Sequence, residues 1–223
     1  MPDTHPSHVV AQLAGTELWL LAEKAIWWPA QQALLVADIH IGKAAAYRAL
    51  GQPVPHGTTA ANLAQLDALL ERFDCRQLIF LGDFLHARQS RTPQTLAALA
   101  RWRASHPTLA IRLVRGNHDK HAGDPPAELR FQLVEEPLLL GPFALQHEPH
   151  AHPGHHVLAG HLHPAYQLRG LGRQRLRLPC FVLGEEISLL PSFGSFTGAM
   201  TIRAQPGQSG FVVGDGGVWA VSE

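Results

Sequence analysis

The sequence predicts an α/β fold in which a parallel βαβ half is followed by a β-rich half. Three observations carry that expectation. Short apolar runs end repeatedly at glycine, carboxylate, amide or imidazole, as buried parallel strands do when they empty into loops. Two helical patterns separate the first three of these runs. From residue 137 to residue 193 the chain offers short strands and turns, and no long helix.

The chain begins with a stretch, residues 1–15, that reads as a frayed or lightly tethered start. Thr16 to Leu21 and Ala25 to Trp28 follow as two strand-like pieces, expected as an antiparallel edge pair. Trp19, Trp27 and Trp28 in them read as packing residues. Leu34-Leu35-Val36-Ala37 is the first buried strand, and it delivers Asp38-Ile39-His40. Gly42 to Arg48 reads as a short helical turn, and Gly51 to Gly57 as a loop punctuated by proline and glycine. Thr58 or Thr59 is expected to cap a helix whose apolar face is Leu63, Leu66, Leu69, Leu70 and Phe73.

Leu78-Ile79-Phe80-Leu81 is the second buried strand, and it runs into Gly82-Asp83. Thr92 with Pro93 then makes a cap and first-turn pair. That helix is expected to bury Leu96, Leu99 and Ala100 and to stop before Pro107. The strand at 109–114 empties into Arg115-Gly116-Asn117-His118-Asp119. Strand, helix, strand, helix, strand is the βαβ signature of a mostly parallel sheet. Phe143 to Gln146 leads to His147, and Val157 to Gly160 leads to His161-Leu162-His163. Gly141-Pro142, Gly170 to Gly172 and Gly184 mark turns, and Gly214-Asp215-Gly216-Gly217 a tight hairpin. Two sheets packed face to face would bury both halves. The expected organisation is one domain, 1–223, with flexible ends at 1–12 and 204–210.

Composition sets bounds. The chain has 223 residues, 46% hydrophobic and 16% charged, with zero net charge when histidine is neutral. Nothing global therefore recruits nucleic acid or an anionic membrane, though a local basic patch remains open. Cys75 and Cys180 lie far apart in no metal-ligand pair, so free thiols are expected. No apolar run approaches ~18 residues, so no transmembrane helix is expected. No secretory leader is read either, which points to the cytoplasm. The outlier is histidine, at 15 residues and mostly after position 117, which makes metal the first question.

In an open α/β sheet, ligands sit beyond the carboxyl ends of the strands. Collected there in order are Asp38 and His40, Gly82-Asp83 with His86, Gly116-Asn117-His118-Asp119, His147, and Gly160-His161-Leu162-His163. Carboxylate, imidazole and amide oxygen together suit Mn²⁺, Fe or Zn²⁺ better than Ca²⁺ or Mg²⁺ alone. This ordered set, from about Ala33 to Pro164, resembles the calcineurin-like metallophosphoesterase superfamily. Finer motifs resemble its bacterial DNA-ligase-associated branch: Gly42-Lys43-Ala44, Pro53-Val54-Pro55, Gly57-Thr58-Thr59, Leu178-Pro179-Cys180-Phe181, and Ser192 to Gly198.

The resemblance implies a four-layer αββα sandwich of two packed mixed β-sheets flanked by helices. It implies two divalent ions, Mn²⁺ before Fe or Zn²⁺. Asp38, His40, Asp83 and His163 would hold the first ion. Asp83, Asn117, His147 and His161 would hold the second, with Asp83 as the bridge. A hydroxide between the ions would attack phosphorus in line, with His118 stabilising charge and protonating the leaving oxygen, and Asp119 orienting His118. Many members carry aspartate where this chain has His86, so His86 is expected behind the ligands or against substrate, as are Lys43 and Arg115. His150 is the alternative to His147.

The implied activity is phosphodiester hydrolysis, with nucleic acid as a candidate substrate and a DNA ligase and helicase as functional partners. A homodimer is left open. A phosphomonoesterase is the second reading. A non-catalytic scaffold is a third, and it predicts lost ligands, whereas all seven ligand positions and His118 are filled. His150, His152, His155 and His156 crowd one loop, as a further metal or substrate contact or as solvated residues. His5, His8, His56, His106 and His121 read as surface residues. Arg48, Arg88 and Arg91 are further cations in or near the site loops. Arg169, Arg173, Arg175 and Arg177 alternate through a hairpin, as a nucleic-acid stripe or as charge protecting an edge.

Overall fold

The structure is a computed structural model that describes residues 7–54, 57–170, 174–203 and 205–221. Residues 1–6 with His5, and Pro55, His56, Gly172, Arg173 and residue 204, lie outside the described residues.

The first half builds strands β1 (His8–Leu13), β2 (Thr16–Leu21), β3 (Ile26–Trp28) and β4 (Ala33–Ala37), then helices α1 (Lys43–Ala49) and α2 (Thr58–Arg72). Next come β5 (Gln77–Leu81), α3 (Pro93–Ser105), β6 (Ala110–Val114), α4 (Asn117–Ala122) and β7 (Gln132–Val134). The seven strands form one sheet in chain order, antiparallel from β1 to β4 and parallel from β4 to β7. The second half adds β8 (Leu138–Leu140), β9 (Phe143–Gln146), β10 (His156–Ala159), β11 (Pro164–Arg169), β12 (Arg175–Leu183), β13 (Ile187–Leu189), β14 (Met200–Thr201), β15 (Ser209–Gly214) and β16 (Gly217–Val221). These form a second, mixed sheet in which β9, β10 and β13 are parallel neighbours.

Strand alternation builds the layers. Leu34, Val36, Leu78, Phe80, Ile111 and Leu113 point to one face, where Leu63, Leu66, Leu69, Leu99 and Trp102 of the helices cover them. Leu35, Ala37, Ile79, Leu81 and Val114 point the other way and meet Phe143, Leu145, Leu158, Phe181, Val213 and Val218 of the second sheet. One apolar layer thus joins the two halves, as the two-sheet expectation requires. Among the described residues no α-helix follows Ala122. The outer face of the second sheet instead carries small apolar clusters, Ala144 with Val157 and Ala159, and Cys180 with Val182 and Val212. No helix is long and apolar enough to cross a membrane among the described residues.

Four expectations need correction. The start is not frayed from His8 onward, because β1 pairs with β2 along its whole length and takes the sheet edge. Its turn uses Ala14 and Gly15, both at positive φ (47° and 73°), the arrangement of a primed hairpin turn. Ser209 and Gly210 likewise belong to a strand, β15. Neither threonine caps α2: Gly57 precedes it, and Thr59 instead accepts the Gly42 N–H at 3.2 Å. Helix α3 buries Thr95, Leu99, Trp102 and Arg103, while Ala100 is exposed. Its polar members are satisfied inside, Trp102 donating to Asp67 (2.8 Å) and Arg103 Nε to the Leu129 carbonyl (2.8 Å). The Thr92 cap is present, accepting from the Thr95 N–H at 3.1 Å. Both cysteines are free.

Candidate metal centre

The carboxyl ends of β4, β5, β6, β9 and β10 meet at one rim. Asp38, His40, Asp83 and His147 are almost fully buried there. Their backbone is unusual: Asp38, His40, Asp83, His161 and His163 all have φ between +47° and +67°. Left-handed backbone costs a non-glycine residue about 1–3 kcal/mol and persists only where surroundings impose it. Here they do. Asp38 O accepts from Ser192 Oγ (2.7 Å) and the Gly194 N–H (3.3 Å), and Asp83 O accepts the His40 N–H (2.9 Å).

Two donor sets share Asp83. Asp38, His40, Asp83 and His163 bring one donor atom each within 4.8 Å of one another. His40 Nε2 lies 3.4 Å from His163 Nε2 and 3.7 Å from Asp83 Oδ2, and His163 Nε2 lies 3.4 Å from Asp38 Oδ1. In the second set, His147 Nε2 lies 2.8 Å from Asn117 Oδ1, 3.0 Å from His161 Nδ1 and 3.5 Å from Asp83 Oδ1. The two oxygens of Asp83 therefore face different sets. Carbonyls behind two of the rings fix their tautomers. His163 Nδ1 donates to Gly198 O (3.0 Å) and His147 Nδ1 to Leu81 O (3.2 Å), which leaves each Nε2 lone pair for the centre.

These residues fit divalent cations. Atoms about 2.0–2.2 Å from one ion stand about 3–3.5 Å from each other, and the donors here lie 2.8 to 3.7 Å apart. Among the described residues, nothing hydrogen-bonds the buried Asp38 Oδ1 or His40 Nδ1. Burial, followed by the Asp38 carboxylate, pushes the Asp83 carboxyl up to about 8, the penalty a cation would reverse. Burial, followed by Lys43 and the neighbouring imidazoles, holds His40 well below the usual histidine range, in its ligating form.

A family model for calcineurin-like phosphoesterases matches residues 32–179. The chain belongs to the calcineurin-like phosphoesterase family. It is also similar to the crystal structure of Pseudomonas putida nuclease MPE, at 54% identity over 96% of this chain and 100% of that one, with a TM-score of 0.86. Among curated proteins, no sequence matches. As a calcineurin-like phosphoesterase, the chain is a metal-dependent phosphoester hydrolase.

The seven residues expected to ligate metal converge at this rim. His150 does not join them: it is exposed and pairs with Glu148 at 3.1 Å. His118 Nε2 faces Asp83 Oδ2 at 3.9 Å. Its partner is not Asp119 but the His86 carbonyl, which accepts from His118 Nδ1 at 2.7 Å. Asp119 works on backbone instead, accepting the N–H groups of Phe84 (3.0 Å), Leu85 (3.2 Å) and Gly116 (3.0 Å). It ties the loop after β5 to the loop after β6. The His86 ring stacks between Tyr47 and His118, with centroids at 5.7 and 4.8 Å. Burial, then Lys43 and His118, lowers its pKa to about 4. Burial also lowers the pKa of Lys43, against the pull of Asp83 and Asp38. Arg115 is committed to Asp124 and Glu135, at 2.8 and 2.6 Å.

Three supporting residues escape a reading of the motifs. Glu136 accepts the His147 and Glu148 N–H groups, at 2.8 and 3.1 Å. Asn62 donates to Ile39 O (3.2 Å) and accepts from Ser195 Oγ (3.1 Å). Lys24 Nζ donates to Phe193 O at 2.7 Å. Asn62 leaves a signal, because it shares the helical stripe of Leu66 and Leu69. Glu136 and Lys24 leave none, since only the tertiary fold brings them near the rim.

Proposed function

We propose that this chain is a two-metal, Mn²⁺-dependent phosphodiesterase that cuts nucleic acid, acting in the cytoplasm in DNA repair with a ligase and helicase. The observation that carries the two-metal reading is the split of Asp83, one oxygen toward His40 and the other toward His147. When bound, such a cation pair neutralises phosphate charge and acidifies water. Asp38, His40, His163 and Asp83 would hold one ion, and Asp83, Asn117, His147 and His161 the other.

The chain's own residues supply the rest. With Nδ1–H committed to the His86 carbonyl, His118 turns Nε2 toward the centre, where as the doubly protonated imidazolium it donates its Nε2–H to a phosphate oxygen and passes that proton to the leaving oxygen, ending as the neutral ring. The diester is preferred over the monoester because two arginines near the rim are engaged elsewhere. Arg115 is forked to carboxylates, and Arg91 donates to the Asp124 carbonyl at 2.6 Å. A monoester dianion needs such cations more than a singly charged diester does. The similar Pseudomonas protein is called a nuclease, which supports nucleic acid as substrate. The motifs of the ligase-associated branch support the repair setting.

The test compares bis-p-nitrophenyl phosphate with p-nitrophenyl phosphate, using metal-stripped protein and then added Mn²⁺. Hydrolysis of the diester should require Mn²⁺. In His118→Ala, kcat should fall about 10²–10⁴-fold while bound metal stays unchanged. A preference for the monoester overturns the phosphodiesterase reading.

A further inference from the structure

The chain has no net charge, yet its charge is unevenly placed around the rim. From Leu162 to Leu183 it carries Arg169, Arg173, Arg175 and Arg177 and no carboxylate. This stretch is the hairpin of β11 and β12. Arg175 and Arg177 are exposed, and among the described residues no carboxylate pairs with either.

Strand alternation decides which way these two arginines face. On β12, Leu178, Cys180 and Val182 lie on the outer face of the second sheet, whereas Phe181 belongs to the layer between the sheets. Arg175 and Arg177 share the parity of Phe181, so they lie on the inner face. The apolar layer ends before it reaches them, since Phe181 is buried and both arginines are exposed. The hairpin also grows directly out of the metal centre. Strand β11 begins at Pro164, next to His163, and Ala165 pairs with Pro179 at the base of the hairpin. Arg177 then stands opposite Gln167, and Arg175 opposite Arg169. Extended chain puts these two steps about 13 and about 20 Å from His163. Arg177 is tied back to the centre through the loop before β14. Its guanidinium donates to Ala199 O at 3.3 Å, beside the Gly198 carbonyl that accepts from His163 Nδ1. That single contact leaves most of the guanidinium donors open.

We propose that the inner face of this hairpin, through Arg175 and Arg177, holds the phosphate backbone of the nucleic-acid strand being cut, where it leaves the metal centre past His163. The inference rests on the nuclease reading above. Guanidinium groups fit phosphate oxygens in a fork and read no base, so the track accepts any sequence. It serves only substrates several nucleotides long. A small diester such as bis-p-nitrophenyl phosphate fills the centre without reaching the hairpin.

The test compares a single-stranded DNA oligonucleotide with bis-p-nitrophenyl phosphate, both with Mn²⁺, for the full chain and for Arg175→Gln/Arg177→Gln. In the double variant, KM for the oligonucleotide should rise about tenfold, and kcat/KM should fall about tenfold further on the oligonucleotide than on the small diester. The slope of log(1/KM) against log[salt] should become shallower by about 1.4, for two single-strand phosphates at about 0.7 each. Arg175→Lys/Arg177→Lys should restore the KM, because phosphate accepts a point charge. Arg76→Gln/Arg130→Gln removes the same charge at the amino ends of β5 and β7 and should keep the wild-type KM. An oligonucleotide KM unchanged in Arg175→Gln/Arg177→Gln, or raised equally by Arg76→Gln/Arg130→Gln, overturns the proposal and leaves the nuclease reading standing. An equal fall on both substrates overturns it too, because the damage then lies at His163. A wild type that hydrolyses the small diester but not the oligonucleotide overturns both together.

Discussion

Gly82 shows how finely single residues set the rim. A Cβ placed there would lie 2.2 Å from His147 Nδ1, on a residue already at φ +78°. Neither the buried imidazole nor the backbone can yield, since His147 is held by Leu81 O behind it and Glu136 above it. Gly82→Ala should therefore lose bound Mn²⁺ and hydrolysis together, while circular dichroism reports a folded sheet. Retained metal with lost hydrolysis would contradict this, because it would put the damage at substrate rather than at His147. The comparison with His118→Ala is informative, since that variant should keep its metal. The seven candidate ligands were legible because each follows an apolar run at a strand end. The role of Asp119 was not, because its partners are backbone N–H groups of Phe84, Leu85 and Gly116, brought together only by folding.

Elements were legible in proportion to their length and periodicity. Strands β4 and β5 are buried on both faces and read as continuous apolar runs, and β6 reads as one broken only by Arg112. Strand β1 was missed because its turn is Ala14-Gly15 rather than a recognisable Asn-Gly pair, and β7 and β8 are too short to show a period. The Ser192–Ser195 segment was legible only as a motif. Its function is to clamp β4: Ser192 and Gly194 hold Asp38 O, the Phe193 N–H holds Ala37 O (2.8 Å), and Lys24 pins Phe193 O from the opposite side. Burial lowers the Lys24 pKa to about 8 from 10.5. The unfolded chain therefore binds the proton more tightly, so the penalty is complete below pH 8 and fades as pH rises toward 10.5. Lys24→Met removes both the hydrogen bond, worth about 1–3 kcal/mol, and the titration. In urea unfolding the wild type should gain stability relative to Lys24→Met between pH 8 and 10. Parallel curves across that window would show that Lys24 is not held in a desolvated site.

At the scale of the whole molecule, the apolar layer between the sheets positions two facing carboxylates, Asp38 and Asp83, where water cannot screen them. Stability and metal binding are then linked through the same atoms. Folding raises the Asp83 carboxyl from 3.8 to about 8, with burial as the first cause and Asp38 the second. Between these values the folded chain holds a proton that the unfolded chain has released. Without metal, stability from this group is therefore fully present below about pH 4 and lost as pH rises toward 8, at up to ~1.4 kcal/mol per pH unit. Asp119, raised by burial to about 6, adds a loss of the same sign over a narrower range. Asp83→Asn keeps the shape and removes the titration. Metal-stripped wild type should lose thermal stability relative to metal-stripped Asp83→Asn as pH goes from 5.5 to 8, and saturating Mn²⁺ should restore the wild type most at pH 8, where the fewest protons compete with the ion for the carboxylate. If the two metal-stripped proteins keep a constant difference in Tm over that range, the buried carboxylate pair does not couple folding to the metal, and the strained backbone at Asp38 and Asp83 must be held by the surrounding loops alone.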